Sequence, residues 1–301
     1  MKKNELRLHG ALTALVTPFR EDGGVDEKAL ASLVAWQIES GIHGLVPCGT
    51  TGEGATLAPD EHARVIELVV AGAAGRVPVV AGCGTNDTRT TLAAAERAAK
   101  AGADALLVVT PYYNKPNRSG MIAHFAAVAD AAGLPIVPYN VPGRTGQNLG
   151  AELILRLAEI PGVVAVKEAA GNVEQLATIV EGARPGFAVL SGDDAIAFPE
   201  VCLGAAGVVS VVSNVAPAPA ADMMTAALRG DVPAARALHY RLLPLIRALF
   251  LETNPVPAKT ALAMLGRCRD VLRPPLGPPE GGTRHAIEQA LRHAGLLVGA
   301  V

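Results

Sequence analysis

Aromatic residues are scarce in this chain: five Phe, four Tyr and one Trp among 301 residues, 3% of the sequence. The core must therefore be filled by Ala, Val, Leu and Ile, and any gathering of tyrosines becomes informative. Charge is sparse too, at 18%, while half the residues are hydrophobic, which excludes the composition of disordered chains. A basic excess is missing: 26 Lys and Arg stand against 28 Asp and Glu, for a net charge of -2. Neither nucleic acid nor an anionic membrane surface is an expected partner; small molecules and copies of the chain itself are. The four cysteines, Cys48, Cys83, Cys202 and Cys268, lie far apart with no C-x-x-C pair, so neither a zinc site nor a disulfide framework is indicated. They read as reduced, mostly buried thiols, with Cys48 serving packing.

Long hydrophobic runs of the membrane kind are lacking as well. Lys2 and Lys3 are followed at once by Asn4, Glu5, Arg7 and His9, which breaks any signal-peptide core. The longest uncharged stretch, Val201 to Ala221, carries Gly204, Gly207, Ser210, Ser213, Asn214, Pro217 and Pro219 and reads as a buried strand with flanking loops. A cytoplasmic location is the expectation. No G-x-G-x-x-G follows the first strand, which instead runs into Thr17-Pro18-Phe19, and no Walker A sequence occurs, so no nucleotide cofactor is expected. The seven histidines are scattered. Asp193-Asp194 has no further ligand at metal spacing and reads as a helix N-terminus, where acids are favoured by the dipole. No metal is expected.

What is present is a repeating punctuation. Eight short apolar runs, Ala11 to Val16, Gly44 to Cys48, Val77 to Ala81, Ala105 to Val109, Pro135 to Tyr139, Val163 to Val166, Ala188 to Leu190 and Val208 to Val212, alternate with helical segments. Continuous rather than alternating runs are the mark of strands buried on both faces, as in a parallel sheet covered by helices. Asp26 can cap a helix bearing Leu30, Leu33, Val34 and Ile38 on one face and stopping at Gly41; Asp87 to Lys100 repeats the scheme before Gly102. Eight such units predict an α/β fold of the (β/α)8 TIM-barrel type; a doubly wound sheet is the alternative, disfavoured because no G-x-G-x-x-G follows the first strand. After residue 230 the strand signals stop. Asp231 to Glu252, interrupted by Pro244, Val256 to Leu265, and Gly282 to Leu296 read as helices, and Arg273 to Gly282 as their longest loop. The expected division is a barrel over 1–230 carrying the active site and a C-terminal helical region over 231–301.

Active sites of such barrels sit at the C-terminal ends of the strands. The residues there are Gly49-Thr50-Thr51-Gly52-Glu53, Thr110-Pro111-Tyr112-Tyr113-Asn114, Tyr139-Asn140-Val141-Pro142-Gly143-Arg144, Lys167-Glu168 and Gly192-Asp193-Asp194. Three of the four tyrosines fall in this set, leaving Tyr240 for packing among the appended helices. Lys167 follows a buried strand, where burial disfavours the charged ammonium and supplies the neutral amine that attacks a ketone to form a Schiff base. The alternative is a lysine reaching the rim to pair with Glu168. Tyr139 ends the neighbouring strand and offers a proton-shuttling phenol, with the Thr50 hydroxyl as relay; the alternative is a tyrosine packing over the barrel mouth. Gly49 to Gly52 is a turn able to wrap a carboxylate with backbone N–H groups and hydroxyls, or a plain turn feeding the helix that Pro59, Asp60 and Glu61 begin; Arg144 is a fork for a second carboxylate, or a solvated loop charge.

Taken together, Gly49-Thr50-Thr51-Gly52-Glu53, Thr110-Pro111-Tyr112-Tyr113-Asn114-Lys115-Pro116, Tyr139-Asn140-Val141-Pro142-Gly143-Arg144-Thr145 and Val166-Lys167-Glu168-Ala169 closely resemble the dihydrodipicolinate synthase family of pyruvate-dependent class I aldolases. The resemblance runs from about Gly10 to Leu296, with Gly192-Asp193-Asp194 and Asn254-Pro255-Val256-Pro257 in family order. It implies a lyase in which Lys167 forms a Schiff base with pyruvate and the enamine attacks L-aspartate 4-semialdehyde, giving 4-hydroxy-tetrahydrodipicolinate for diaminopimelate and lysine biosynthesis. By the same resemblance Tyr139 is the general acid and base, with Thr50 and a Tyr113 from the adjoining subunit in the relay. Thr51 would hold the pyruvate carboxylate, Arg144 would secure Tyr139 and the semialdehyde carboxylate, and Gly192 and Val209 would line the pyruvate site. A homotetramer, as a dimer of dimers, is implied, and no cofactor beyond the covalent pyruvate. N-acetylneuraminate lyase and the 2-keto-3-deoxy sugar acid aldolases share the barrel, lysine and tyrosine; Arg144 within Gly-Arg-Thr and the paired Tyr112-Tyr113 favour the synthase. A barrel that binds a keto acid without turning it over is a different class, and it has no need of Lys167, Tyr139 and Thr50 together. Where lysine-regulated members carry a His and a Glu in the effector pocket, this chain has Pro59 and Thr90, beside His62, Asn86 and Tyr112, so weak or absent lysine inhibition is expected.

Overall fold

The computed structural model describes residues 6–297; Lys2, Lys3, Asn4 and Glu5, which bore on the signal-peptide reading, lie outside the described residues. Each of the eight apolar runs overlaps a strand. In chain order the elements are β1 (Gly10–Ala14), α1 (Glu27–Glu39), β2 (Gly44–Val46), α2 (Pro59–Ala73), β3 (Val80–Gly82), α3 (Thr88–Lys100), β4 (Ala105–Val109), α4 (Arg118–Ala132), β5 (Ile136–Asn140), the short α5 (Pro142–Thr145), α6 (Gly150–Ala158), β6 (Ala165–Glu168), α7 (Val173–Gly182), β7 (Ala188–Ser191), α8 (Ala197–Cys202), β8 (Gly207–Ser210) and α9 (Pro217–Leu228). Three helices follow: α10 (Val232–Ala248), α11 (Val256–Met264) and α12 (Thr283–His293). The expected caps are in place, Asp26 accepting from the Ala29 N–H and Asp87 from Thr90, and Asp231 likewise accepts from Ala234.

The strands are ordered β2-β1-β8-β7-β6-β5-β4-β3, with parallel pairing throughout, and a parallel bridge from Leu45 to Val79 joins the two ends. This is a (β/α)8 TIM barrel with C-terminal helices. Its buried apolar residues separate into two clusters. One, with Leu12, Val46, Val80, Leu107, Val137, Ala165, Leu190 and Val209, fills the barrel; the other, with Leu106, Val108, Ile136, Val166, Val189 and Val208, lies between sheet and helices. Alternation along a strand assigns every other residue to each side, which is why the runs are apolar at every position. In β6, Ala165 and Lys167 therefore share the interior, while Val166 and Glu168 face the helices.

The helix expected to be interrupted at Pro244 runs through it as one element. Proline deprives the carbonyl four residues earlier of its donor, and that residue, Tyr240, lies on an exposed face where water can substitute. Tyr240 thus does not serve packing as expected: it is 63% exposed and touches only the edge of the His239 ring among its aromatic contacts in the described residues.

Candidate active site

The C-terminal ends of the strands surround a cavity of about 580 Å³ lined by Thr50, Tyr112, Tyr139, Arg144 and Asn254, among others. Its floor is set by strand register. β5 and β6 pair Tyr139 with Lys167, so both side chains point into the barrel at one level, and both are buried. The Lys167 Nζ lies 4.1 Å from the centroid of the Tyr139 ring, over its face. Glu168, the alternative partner for this lysine, points to the other side of the sheet. Its carboxylate accepts from Asn140 Nδ2, the Ala170 N–H and Gln175 Nε2. Gly192 gives Lys167 its room: a Cβ there would lie 3.0 Å from Lys167 Cε and 2.5 Å from the Ala169 Cβ. Val209 is buried in the barrel interior, paired in register with Leu12.

The Thr50 loop is held by residues distant in sequence. Thr50 lines the cavity, while Thr51 is buried one step further in, its Oγ1 accepting from Asn254 Nδ2 at 2.9 Å. Asn254 also anchors Arg144, whose Nη2 donates to the Asn254 carbonyl at 3.0 Å. Glu53 adopts a left-handed backbone (φ 52°, ψ 35°) and is buried. Its carboxylate meets Lys259 Nζ at 2.5 Å, with both side chains 1% exposed or less, and accepts the Arg273 N–H at 3.0 Å. Lys259 also donates to the Val271 carbonyl and sits 3.9 Å from the centroid of Phe19; Arg273 stacks on the same ring and pairs with Glu61. Burial pulls the Lys259 ammonium below the ordinary lysine range, with the Glu53 charge opposing.

Other expected sites fall differently. Tyr112 joins Tyr139 at the cavity, but Tyr113, with a φ of 71°, is 89% exposed and does not line it. A left-handed residue reverses the course of the loop and separates two adjacent side chains. Asp193-Asp194 is not the N-terminus of α8, which begins at Ala197. Asp194 instead accepts from the Val211 and Val212 N–H groups at 2.8 and 2.9 Å, capping the turn that follows β8; burial pushes its carboxyl up despite these donors. His62 is bonded to the Gly82 carbonyl and His124 to Thr88, and burial lowers both imidazoles. Burial also raises the Cys48 thiol, and lifts that of Cys83 to about 12, which suits packing rather than reactivity. Among the described residues no group of three or more His, Cys, Asp or Glu is placed to hold a metal ion, and no helix is long and apolar enough to cross a membrane.

Asn254, Lys259 and Arg273 escaped the sequence reading, since their roles depend on contacts across some two hundred residues; the only signal was the Asn-Pro-Val-Pro turn. Residues 7–294 match the dihydrodipicolinate synthetase family. The 4-hydroxy-tetrahydrodipicolinate synthase of Nitratidesulfovibrio vulgaris (strain DP4) is 50% identical over 293 residues, covering 97% of this chain and 100% of its own; that of Syntrophobacter fumaroxidans is 48% identical over 289, covering 96% and 99%. Among solved structures, the chloride-inhibited dihydrodipicolinate synthase of Acinetobacter baumannii complexed with pyruvate superposes with a TM-score of 0.95 at 41% identity, over 97% of this chain and 100% of that one. The enzyme from Thermotoga maritima gives 0.94 at 40%, over 96% and 99%. With the barrel, the Lys167–Tyr139 pair and these likenesses, the chain belongs to the dihydrodipicolinate synthetase family.

Proposed function

We propose that this chain is a 4-hydroxy-tetrahydrodipicolinate synthase, a lyase that condenses pyruvate with L-aspartate 4-semialdehyde through a Schiff base on Lys167. The observation that carries the reading is the Lys167 amine held 4.1 Å over the Tyr139 ring at the mouth of the barrel. The amine adds to the pyruvate ketone, and the carbinolamine loses water to give an iminium. A methyl proton leaves, the enamine carbon attacks the aldehyde and the new alkoxide is protonated. The amino group of the second substrate then displaces Lys167 from the iminium carbon, closing the ring and returning the free amine. The steps move protons, and in this reading Tyr139 gives and takes them, with Thr50, which lines the same cavity, as relay.

In this reading Thr51 and the neighbouring amides receive the pyruvate carboxylate, Gly192 and Val209 line the keto-acid end, and Arg144 meets the carboxylate of the semialdehyde. Tyr113, exposed on its own subunit, completes the relay in a neighbouring one, so the working unit is a homo-oligomer, a tetramer by the family's habit. The catalytic barrel ends near residue 230, and the helical region that follows braces it. The setting is cytoplasmic, and no cofactor takes part beyond the pyruvate bound to Lys167. Incubation with pyruvate followed by borohydride tests the mechanism: a reduced adduct on Lys167 is expected, and its absence overturns the Schiff base. A coupled assay with the semialdehyde against N-acetylneuraminate and keto-deoxy sugar acids tests the substrate, and light scattering tests the assembly.

A further inference from the structure

Behind the Tyr139–Lys167 pair, on the helix side of the sheet, stands a second pair. The β5–β6 ladder is short and interrupted: Tyr139 pairs with Lys167 and Asn140 with Glu168, while an isolated parallel bridge joins Ile136 to Val163 one residue out of step; β7–β8 also pairs two positions, whereas β4–β5 and β6–β7 each pair four. Tyr139 and Lys167 face the cavity; Asn140 and Glu168, next along each strand, face outward. Asn140 is fully buried, and its Nδ2 donates to both Glu168 oxygens, at 2.9 and 3.1 Å, and to Asn148 Oδ1 at 2.8 Å. Its Oδ1 accepts the Leu149 N–H at 3.1 Å. Glu168 in turn accepts from the Ala170 N–H at 2.7 Å and from Gln175 Nε2 at 3.2 Å, so each of these partners is a donor. Asn148 and Gln175 bond each other, closing the network across the starts of α6 and α7.

We propose that Asn140 and Glu168 are positioning residues: their outward hydrogen bonds lock the β5–β6 register and thereby fix Tyr139 over Lys167 inside the barrel. So short a continuous ladder is little to hold a register, and a slip of β6 by one residue against β5 would turn Lys167 to the helix side, away from Tyr139. The bidentate contact belongs to one register alone. It also sets the lateral distance between the strands just where the amine and the phenol must meet, and a displacement of about 1 Å between reacting groups costs on the order of a hundredfold in rate.

The inference rests on the Schiff-base reading of Lys167, and its test separates the two. Borohydride trapping of pyruvate on the unaltered protein checks the reading itself; no adduct there overturns the reading, and the inference with it. Asn140→Asp sets carboxylate against carboxylate, and Glu168→Gln sets amide against amide. The double variant N140D/E168Q restores a donor facing an acceptor with the roles exchanged. Each single variant is expected to lower the trapping rate and kcat by about tenfold or more with KM for pyruvate within roughly threefold, measured well below melting, and the double to recover most of the loss. Singles that fold and keep kcat within about twofold, or a double no better than the product of the singles, overturn the proposal. Should the singles fail to fold, Gln175→Ala removes one outer donor at the half-exposed rim. A trapping rate lowered by roughly twofold or more supports the proposal and an unchanged one overturns it.

Discussion

Replacing Lys259 by Met puts the attachment of the C-terminal helices to the catalytic loop to a quantitative test. The Glu53–Lys259 pair is dehydrated, with 1% side-chain exposure or less on both sides and 2.5 Å between Oε1 and Nζ. Methionine preserves the length and packing of the lysine stem but leaves the Glu53 carboxylate with the Arg273 N–H as its remaining hydrogen-bond donor. Stranding one member of a buried pair costs about 3–5 kcal/mol. With unfolding entropy near 2.1 cal/mol/K per residue, 301 residues give about 0.6 kcal/mol per kelvin, so the melting temperature should fall by roughly 5–8 °C. The double variant K259M/E53Q, which strands no charge, should lose much less than the sum of the single losses. Because Glu53 lies three residues after Thr50, turnover at a temperature where the variant is folded should fall as well. Calorimetry and urea titration of the four proteins measure the coupling. A Lys259→Met protein melting within about 1 °C of the parent, or single effects that simply add, would refute the reasoning.

Tyr139→Phe keeps the ring under Lys167 but removes the hydroxyl; kcat should fall by about two to four orders of magnitude with an unchanged melting curve, read by coupled assay and calorimetry. Gly192→Ala places a methyl 3.0 Å from Lys167 Cε and 2.5 Å from Ala169 Cβ, so borohydride trapping should slow by about tenfold or more while stability drops by roughly 1–3 kcal/mol. Glu200 is buried with Oε2 unpartnered, and burial, reinforced by the Asp193 and Glu168 charges and opposed by the Ser191 hydroxyl, pushes its carboxyl up to about 7. A folded-state value raised above the unfolded one favours the native state fully below about pH 4.5, and that stability is lost as pH climbs through about 7. Glu200→Gln should therefore gain stability over the parent between pH 5 and 8, by up to about 3 kcal/mol, and a pH-independent difference in urea midpoints would refute this. Lysine should inhibit weakly or not at all, because Pro59 and Thr90 line the cavity beside His62 without supplying the missing contacts; half-inhibition at submillimolar lysine would overturn this.

The barrel was legible because its signals are local. Strands buried on both faces must be apolar at each position, and caps such as Asp26 and Asp87 sit within four residues of the N–H groups they satisfy. The reactive candidates were legible for a related reason: in this fold the residues at and just after the end of an apolar run stand at the barrel mouth, which picked out Thr50, Tyr139 and Lys167 without any knowledge of distance. Where position alone was not enough, the reading went astray. Asp194 looks like a helix start in sequence, yet its carboxylate reaches across to the amides after β8.

By itself, the sequence determined the alternation of strand and helix, the closed barrel and the set of polar groups at its mouth, since these follow from periodicity and from side chains meeting opposite faces of a strand. Only the tertiary structure decided that Lys167 lies over Tyr139 rather than against Glu168, that Asn254 ties Thr51 to Arg144, and that Lys259 neutralises Glu53. Those facts depend on register between strands and on contacts spanning 28 to 206 residues, where the direction of a side chain is set by everything packed around it and leaves no periodic trace in the chain.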